Sequence, residues 1–195
     1  MFIRSERLFL RPGWPEDWQE IQHQIGAEAI VRNLAQVPWP YRAEDAKVFA
    51  ALPQDPRTPH FVVTLPGARG AQLIGGVGLQ NSEERVELGY WIAQPHWNKG
   101  YATEAARALL RLAGTLGHKQ IAAHHFVDNP ASARVLAKIG FRPTGQIALR
   151  SSVARERPAL AATHAVSLPI ADCDNSDGTG GQSDKVARPM RRQAA

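Results

Sequence analysis

The sequence predicts a mixed α/β domain, and three observations carry that prediction. Hydrophobic periods of two and of 3.6 alternate along the chain, which argues against a helical bundle or a β-sandwich. Three extended segments follow one another, and two of them abut turn-rich stretches, PGARGA and QNSEE, as the strands of an antiparallel meander do. A strongly amphipathic segment follows, entered through a glycine-containing turn and left toward another extended run.

Each element has its own local reason. Phe2, Leu8 and Leu10 surround an extended run, RLFLRP, that ends at Pro12. Helical patterns cover 15–24, 27–33 and 42–52, and the region of Pro53 and Pro56 stops the last of them. Strands are expected over HFVVTL from His60, QLIGGVGLQ from Gln72 and ERVELGYWI from Glu84. From about Gly100 to Leu116, Ala102, Ala105, Ala106, Leu109, Ala113 and Leu116 share a helical face, with Glu104, Arg107 and Arg111 opposite. Gly117 suits a left-handed stop, followed by His118 and Lys119. QIAAHHFV then reads as a strand. NPASARVLAKIG reads as a helix, with Asn129 as cap, Pro130 at the first helical position and Gly140 past the end. FRPTGQIALR and THAVSL complete the strands.

Composition bounds the rest. The chain has 195 residues, 44% hydrophobic and 21% charged, enough for one domain with a tail. The domain is expected over 1–169. Residues 170–195 hold few large apolar side chains and are expected to be a disordered tail. That tail carries Cys173, the single cysteine, so a disulfide framework and a cysteine-only zinc site are excluded. No window approaches the roughly 18 apolar residues of a membrane span, and MFIRSERLFLRP lacks the apolar core of a signal peptide, so a cytoplasmic location is expected. The net charge of +5 favours weak attraction to polyanions, including a phosphorylated cofactor. Arg188, Arg191 and Arg192 are offset by Asp172, Asp174, Asp177 and Asp184, which disfavours specific nucleic-acid binding. His124 and His125 are adjacent in a strand and point to opposite faces, so they cannot chelate one metal, and no metal site is expected.

The most informative stretch is QPHWNKGYAT, residues 94–103, which joins a strand to the strongest helix. A helix start presents unpaired N–H groups and the positive end of the dipole, and Gly100 with the small Ala102 lets a pyrophosphate approach the backbone. Gly76-Val77-Gly78 lacks the third glycine of a dinucleotide fingerprint and leads into a turn and a strand, and no Walker motif occurs.

Taken together, ELGYWIAQPHWNKGYATEAARALL and HFVDNPASARVLAKIGF resemble the GCN5-related N-acetyltransferase (GNAT) superfamily, in particular its ribosomal-protein alanine acetyltransferase-like (RimJ/RimL-like) branch. SERLFLRPGWPEDW looks like that branch's first strand and helix, so the resemblance spans about residues 3 to 169. It implies a mixed, mostly antiparallel sheet with helices on both faces, splayed in the middle so that acetyl-CoA lies between strands 87–92 and 121–127. The pyrophosphate signature maps onto Trp97, Gly100 and Ala102, with Trp97 departing from the family's Gln or Arg. The implied phosphate cradle is the amides of Asn98, Lys99, Gly100, Tyr101, Ala102 and Thr103. The backbone at Ile92 and Ala93 is implied to pair with pantetheine. Asn129 and Ser132 match the Asn-x-x-Ser element beside the CoA arm. Leu136 stands where many members carry a tyrosine general acid.

Acetyl transfer needs a neutral amine, whereas an alkylamine is almost wholly protonated at neutral pH, so a base or water chain is required. Glu87 is the candidate base, because strand alternation places it with Gly89 and Trp91 on one face. Glu156 is a weaker candidate, and Ser132 is the candidate proton donor to the thiolate. Trp91 and His125 are candidate acceptor contacts, and Trp39 and Tyr41 of the Pro38–Tyr41 turn are candidates for the acceptor rim. The expected activity is transfer of the acetyl group from acetyl-CoA to a protein N-terminal amine or a small amine, by direct attack in a ternary complex of a monomer or homodimer. The alternative is a non-catalytic acyl-CoA-binding or regulatory module, which Leu136 keeps open.

Overall fold

The computed structural model describes residues 1–68, 70–82 and 85–169. The expected tail, 170–195, with Cys173 and its arginines, lies outside the described residues. The opening strands are β1 (Ile3–Arg4) and β2 (Phe9–Arg11). A 3-10 turn, Pro15–Asp17, then leads into α1 (Trp18–Ile25), α2 (Glu28–Val31) and α3 (Ala43–Ala50). The meander is β3 (His60–Gly67), β4 (Gly70–Ser82) and β5 (Arg85–Ile92). After a second 3-10 turn, Gln94–His96, come α4 (Tyr101–Thr115), β6 (Gln120–Phe126), α5 (Pro130–Lys138), β7 (Arg142–Arg150) and β8 (Ala159–Ser167). Gly117 takes the left-handed conformation expected of it, with φ 86°.

The eight strands form one sheet in the order β1-β2-β3-β4-β5-β6-β8-β7. Every pairing is antiparallel except β5 with β6, which run parallel and share a single register pair, Glu87 with Ala122. Beyond that pair the two strands part, so the sheet is splayed at its centre. β8 begins at Ala159, earlier than the expected THAVSL. Alanines 159, 161 and 162 carry little strand preference of their own, but Ala161 and Ala162 pair with β6 on one side and β7 on the other, and Ala159 pairs with Arg150 of β7. Tertiary pairing overrides the local signal.

Two cores cover the two faces. Leu8, Leu10, Phe61, Val63, Leu88, Ile121 and Ala123 pack with Ala105, Leu109 and Ala113 of α4 and Leu136 of α5. On the other face, Val62, Leu73 and Trp91 pack with Ile21 and Ile25 of α1, Ile30 and Val31 of α2, and Ala46 and Ala50 of α3. Gly76 is required here, because a Cβ on it would sit 2.6 Å from Trp91 Nε1. β4 carries a bulge: Val63 faces Gly75 and Thr64 faces Leu73, which leaves Ile74 without a partner in β3. The Ile74 carbonyl instead accepts from Ala93 N–H at 2.8 Å, fixing the end of β5 where the sheet opens.

Candidate active site

The turn into α4 is built by backbone conformation. Asn98 (φ 60°) and Gly100 (φ 81°) are both left-handed, and Gly100 is the N-cap without a capping side chain. The first amide of this helix to find a carbonyl is Glu104, which donates to Gly100 O at 3.0 Å. The N–H groups of Tyr101, Ala102 and Thr103 precede that bond and are open to an anion. Trp97 folds back and donates its indole N–H to Ile92 O at 2.6 Å, tying the loop to the end of β5. The departure at this signature position is thus a staple within the loop. Lys99 donates to Pro95 O at 2.9 Å.

Arg7, in the turn between β1 and β2, buttresses the same loop, and sequence reasoning missed it. It pairs with Glu104 at 2.7 Å, donates to Lys99 O at 3.1 Å, and lies 4.7 Å from the centre of the Tyr101 ring. Glu104 also accepts from Ser5 Oγ at 2.8 Å. Burial pushes the Glu104 carboxyl up, but the bonds from Arg7 and Ser5 outweigh it and hold the group below the usual range. Its partners lie 97 and 99 residues away in sequence, so the helical pattern that set Glu104 opposite the apolar face gave no sign of them.

Along β5 the amides alternate between β4 and the gap. Ala93 N–H is committed to Ile74 O, so of the two implied pantetheine contacts Ala93 offers no free donor. Ile92 faces Gly75 one step along the ladder, which turns its N–H toward the gap.

Glu87 sits at the last point where β5 and β6 meet, and only 4% of it is exposed. His124 Nδ1 lies 3.2 Å from its Oε2, close enough for an ion pair but too far off line for a hydrogen bond. Arg150, from the far end of β7, donates to Oε1 at a long 3.4 Å. The nearby His124 lowers the Glu87 carboxyl, burial opposes this, and Arg150 adds to the lowering, with a net shift below the ordinary value. Glu87 is thus a held carboxylate inside a three-residue cluster.

Tyr90, on the other face of β5, reaches α5. Its hydroxyl is 2.7 Å from Ser132 Oγ. Asn129 caps α5 by accepting from Ser132 N at 3.3 Å, so its side-chain oxygen is engaged within the helix. Leu136 is wholly buried.

The expected acceptor contacts divide. Trp39 is 43% exposed, whereas Tyr41 is buried in the core with α1 and α2, and burial raises its phenol to about 12. Tyr41 is therefore corrected from rim to core. Trp91 is a buried wall of that core. His125 faces away from Glu87: its ring centre is 5.0 Å from that of His164, on the face of the sheet that α5 covers. His124 takes the place expected of His125, because pairing Glu87 with Ala122 puts residue 124 on the Glu87 face. Glu156 is exposed in the loop 151–158.

That loop is tied to the segment just after α2. Ser152 Oγ donates to Leu34 O at 2.6 Å, and Arg155 Nε donates to Arg32 O at 2.7 Å. Arg155 also grips Asp128 with two bonds of 2.9 Å, and Arg32 adds a third contact at 3.1 Å. An open pocket of about 590 Å³, lined by Glu28, Arg32, Asn33, Asp128 and Asn129, lies beside this clamp. Among the described residues no three His, Cys, Asp or Glu side chains gather as metal ligands, and no helix is long and apolar enough to cross a membrane.

Comparison with known proteins agrees with this architecture. Residues 7–142 match the family model described as an acetyltransferase (GNAT) domain. An uncharacterized N-acetyltransferase, YoaA of Bacillus subtilis (strain 168), is 35% identical over 152 residues, covering 73% of this chain and 84% of the relative. The crystal structure of a GNAT-family acetyltransferase from Bacillus anthracis superposes with a TM-score of 0.73 at 25% identity, over 86% of this chain and 98% of that one. The fold is shared with RimL, the ribosomal L7/L12 alpha-N-protein acetyltransferase solved with coenzyme A. That match has a TM-score of 0.71 at 16% identity, over 86% of this chain and 98% of the other. With a family model covering residues 7–142 and a relative 35% identical over 73% of the chain, the chain belongs to the GNAT acetyltransferases.

Proposed function

We propose that this acetyltransferase moves the acetyl group of acetyl-CoA directly to a primary amine in a ternary complex. The observation that carries the reading is the set of unpaired amides at the start of α4, beside the mouth where β5 and β6 separate. The amides of residues 98–103 would receive the pyrophosphate, with Trp97 holding their loop in shape. The pantetheine arm would run into the gap beside Ile92 N–H, toward Asn129 and Ser132.

On the opposite face stands the proton acceptor. Glu87 is already held ionised, so its proton affinity is low, and the better acceptor is His124. A Glu87 carboxylate beside Nδ1 stabilises the imidazolium that forms when the other ring nitrogen takes the amine's proton. The neutral amine then attacks the thioester carbonyl, the C–S bond breaks with its electron pair on sulfur, and the nitrogen gives its second proton to water as CoA leaves as the thiolate. Glu87 remains the centre of the base, in the role of a charge partner.

The acceptor is a protein N-terminal amine, as in the RimJ/RimL-like branch, or a small amine. The wall on that side carries Glu87, paired with His124 and Arg150, and Asp128, paired with Arg32 and Arg155, with Glu28 lining the same pocket and Glu156 exposed in the adjoining loop.

Two measurements test the reading. Melting should rise with acetyl-CoA and with CoA but not with ATP. A ligand at about 100-fold its Kd stabilises by about 2.7 kcal/mol, or roughly 5–10 °C for a chain this size. CoA release should then appear with an alanine- or serine-starting peptide or with a small amine such as spermidine. No melting shift at millimolar acetyl-CoA would overturn the reading, and no CoA release with any of these amines would overturn the transfer step.

A further inference from the structure

The chain has Leu136 where the resemblance implies a tyrosine acid, yet the structure brings a tyrosine to the same helix from another element. Tyr90 lies on β5, three residues beyond the Glu87–Ala122 pair, in the stretch where β5 and β6 have parted. Ser132 lies in the first turn of α5, just after β6, so the contact between the two hydroxyls spans the opening.

The geometry orders the two hydrogens. Tyr90 Oη is 2.7 Å from Ser132 Oγ and 3.3 Å from the Ser132 carbonyl oxygen. That carbonyl stands four residues before the Leu136 amide, in the position of a helix acceptor, so Oγ is the closer and freer partner. When the phenol donates to Oγ, the serine keeps its own hydrogen for a third group. Burial raises Tyr90 to about 12, with the bond to Ser132 opposing, so the phenol stays protonated as a donor at neutral pH.

We propose that Tyr90 is a positioning residue that aims the Ser132 hydroxyl at the sulfur of CoA, replacing by a two-residue relay what a single tyrosine on α5 would do. The inference rests on the acetyl-CoA reading above. In the step it serves, a bond forms from the amine nitrogen to the acetyl carbon. The C–S bond breaks with its electron pair on sulfur, and the serine O–H donates a hydrogen bond to the thiolate. Neither hydroxyl gives up its proton. The ammonium's first proton has gone to His124 before attack, its second passes to water, and water protonates the released thiolate. Polarisation by the phenol strengthens the serine as a donor.

The test uses CoA labelled with carbon-13 at the carbon bonded to sulfur, titrated by NMR on the full chain. Hydrogen bonding to the charged form lowers a pKa, so the thiol of bound CoA should titrate about one pH unit below that of free CoA. Tyr90→Phe keeps the ring in place and should recover more than half of that shift. Ser132→Ala should recover all of it, and the double variant should equal Ser132→Ala, with melting temperatures recorded for each. A Tyr90→Phe protein that melts earlier but leaves the bound thiol as in the parent would overturn the proposal, as would a lowered thiol in Ser132→Ala. Bound CoA with an unshifted thiol in the parent overturns this inference alone. No CoA binding at all overturns the acetyl-CoA reading and this one with it.

Discussion

The two sides of the splayed sheet are built from different materials. The α4 side is backbone: two left-handed residues, a run of open amides and a glycine cap, all within 97–103. The α1–α3 side is made of side-chain pairs drawn from distant elements, Glu87 of β5 with His124 of β6 and Arg150 of β7, and Asp128 with Arg32 and Arg155. A backbone site tolerates changed side chains, which is why Trp97 stands in a signature position without spoiling the turn. A paired-charge site does not, because removing one member leaves its partner buried and uncompensated. The lesson is that cofactor recognition here should be robust to substitution and acceptor chemistry fragile.

Glu87→Gln should have the largest effect. It removes the charge behind His124, and kcat should fall by about 10²–10⁴-fold, the usual contribution of acid–base catalysis, while CoA affinity measured by calorimetry stays within twofold. A parallel loss of CoA affinity would break the separation of the two sides. Gly100→Val should do the reverse. A β-branched residue at φ 81° costs roughly 1–2 kcal/mol, and CoA should bind about tenfold more weakly with the melting point of the free protein only modestly lower.

The third expectation concerns pH. His60, His125 and His164 are each lowered by burial first, with neighbouring histidine charge adding at His125. The unfolded chain then binds more protons than the folded one between those depressed values and about 6.5, so stability rises with pH across that window. Urea midpoints should fall as the pH drops below about 6.5, and a flat profile from pH 7 to 5 would remove these histidines from the account. Asp128→Asn should act least on stability. Its carboxylate is half exposed, so the loss should stay below about 1 kcal/mol. Its signature is a several-fold higher KM for the amine with KM for acetyl-CoA unchanged, since Arg155 of the 151–158 loop loses its charged partner while the bonds to Arg32 O and Leu34 O remain.

How much was legible follows the same division. The α4 turn could be read because its cause is local: Gly100, a small Ala102 and an amphipathic run lie within twenty residues. The cap at Asn129 was legible for the same reason, and it also explains why that side-chain oxygen is engaged. Tyr41 was misplaced because an aromatic beside Trp39 and two prolines carries no sign of which ring turns inward. His125 was chosen over His124 because a strand's alternation is known from sequence while its phase is not. The single parallel pair between Glu87 and Ala122 sets that phase. The partners of Glu104, Ser5 and Arg7, were not legible because they are nearly a hundred residues away.

From the sequence alone came the mixed α/β class, the antiparallel meander, the glycine-capped start of α4 and the family likeness. All of these rest on interactions between residues close along the chain: hydrophobic periods, turn chemistry and helix ends. The tertiary structure decided which histidine faces Glu87, that Arg150 completes the cluster, that Tyr90 meets Ser132, and that Arg7 braces the turn into α4. Those contacts depend on strand register and on the crossing of distant elements. A one-residue change of register turns a side chain to the other face, and no local pattern records it.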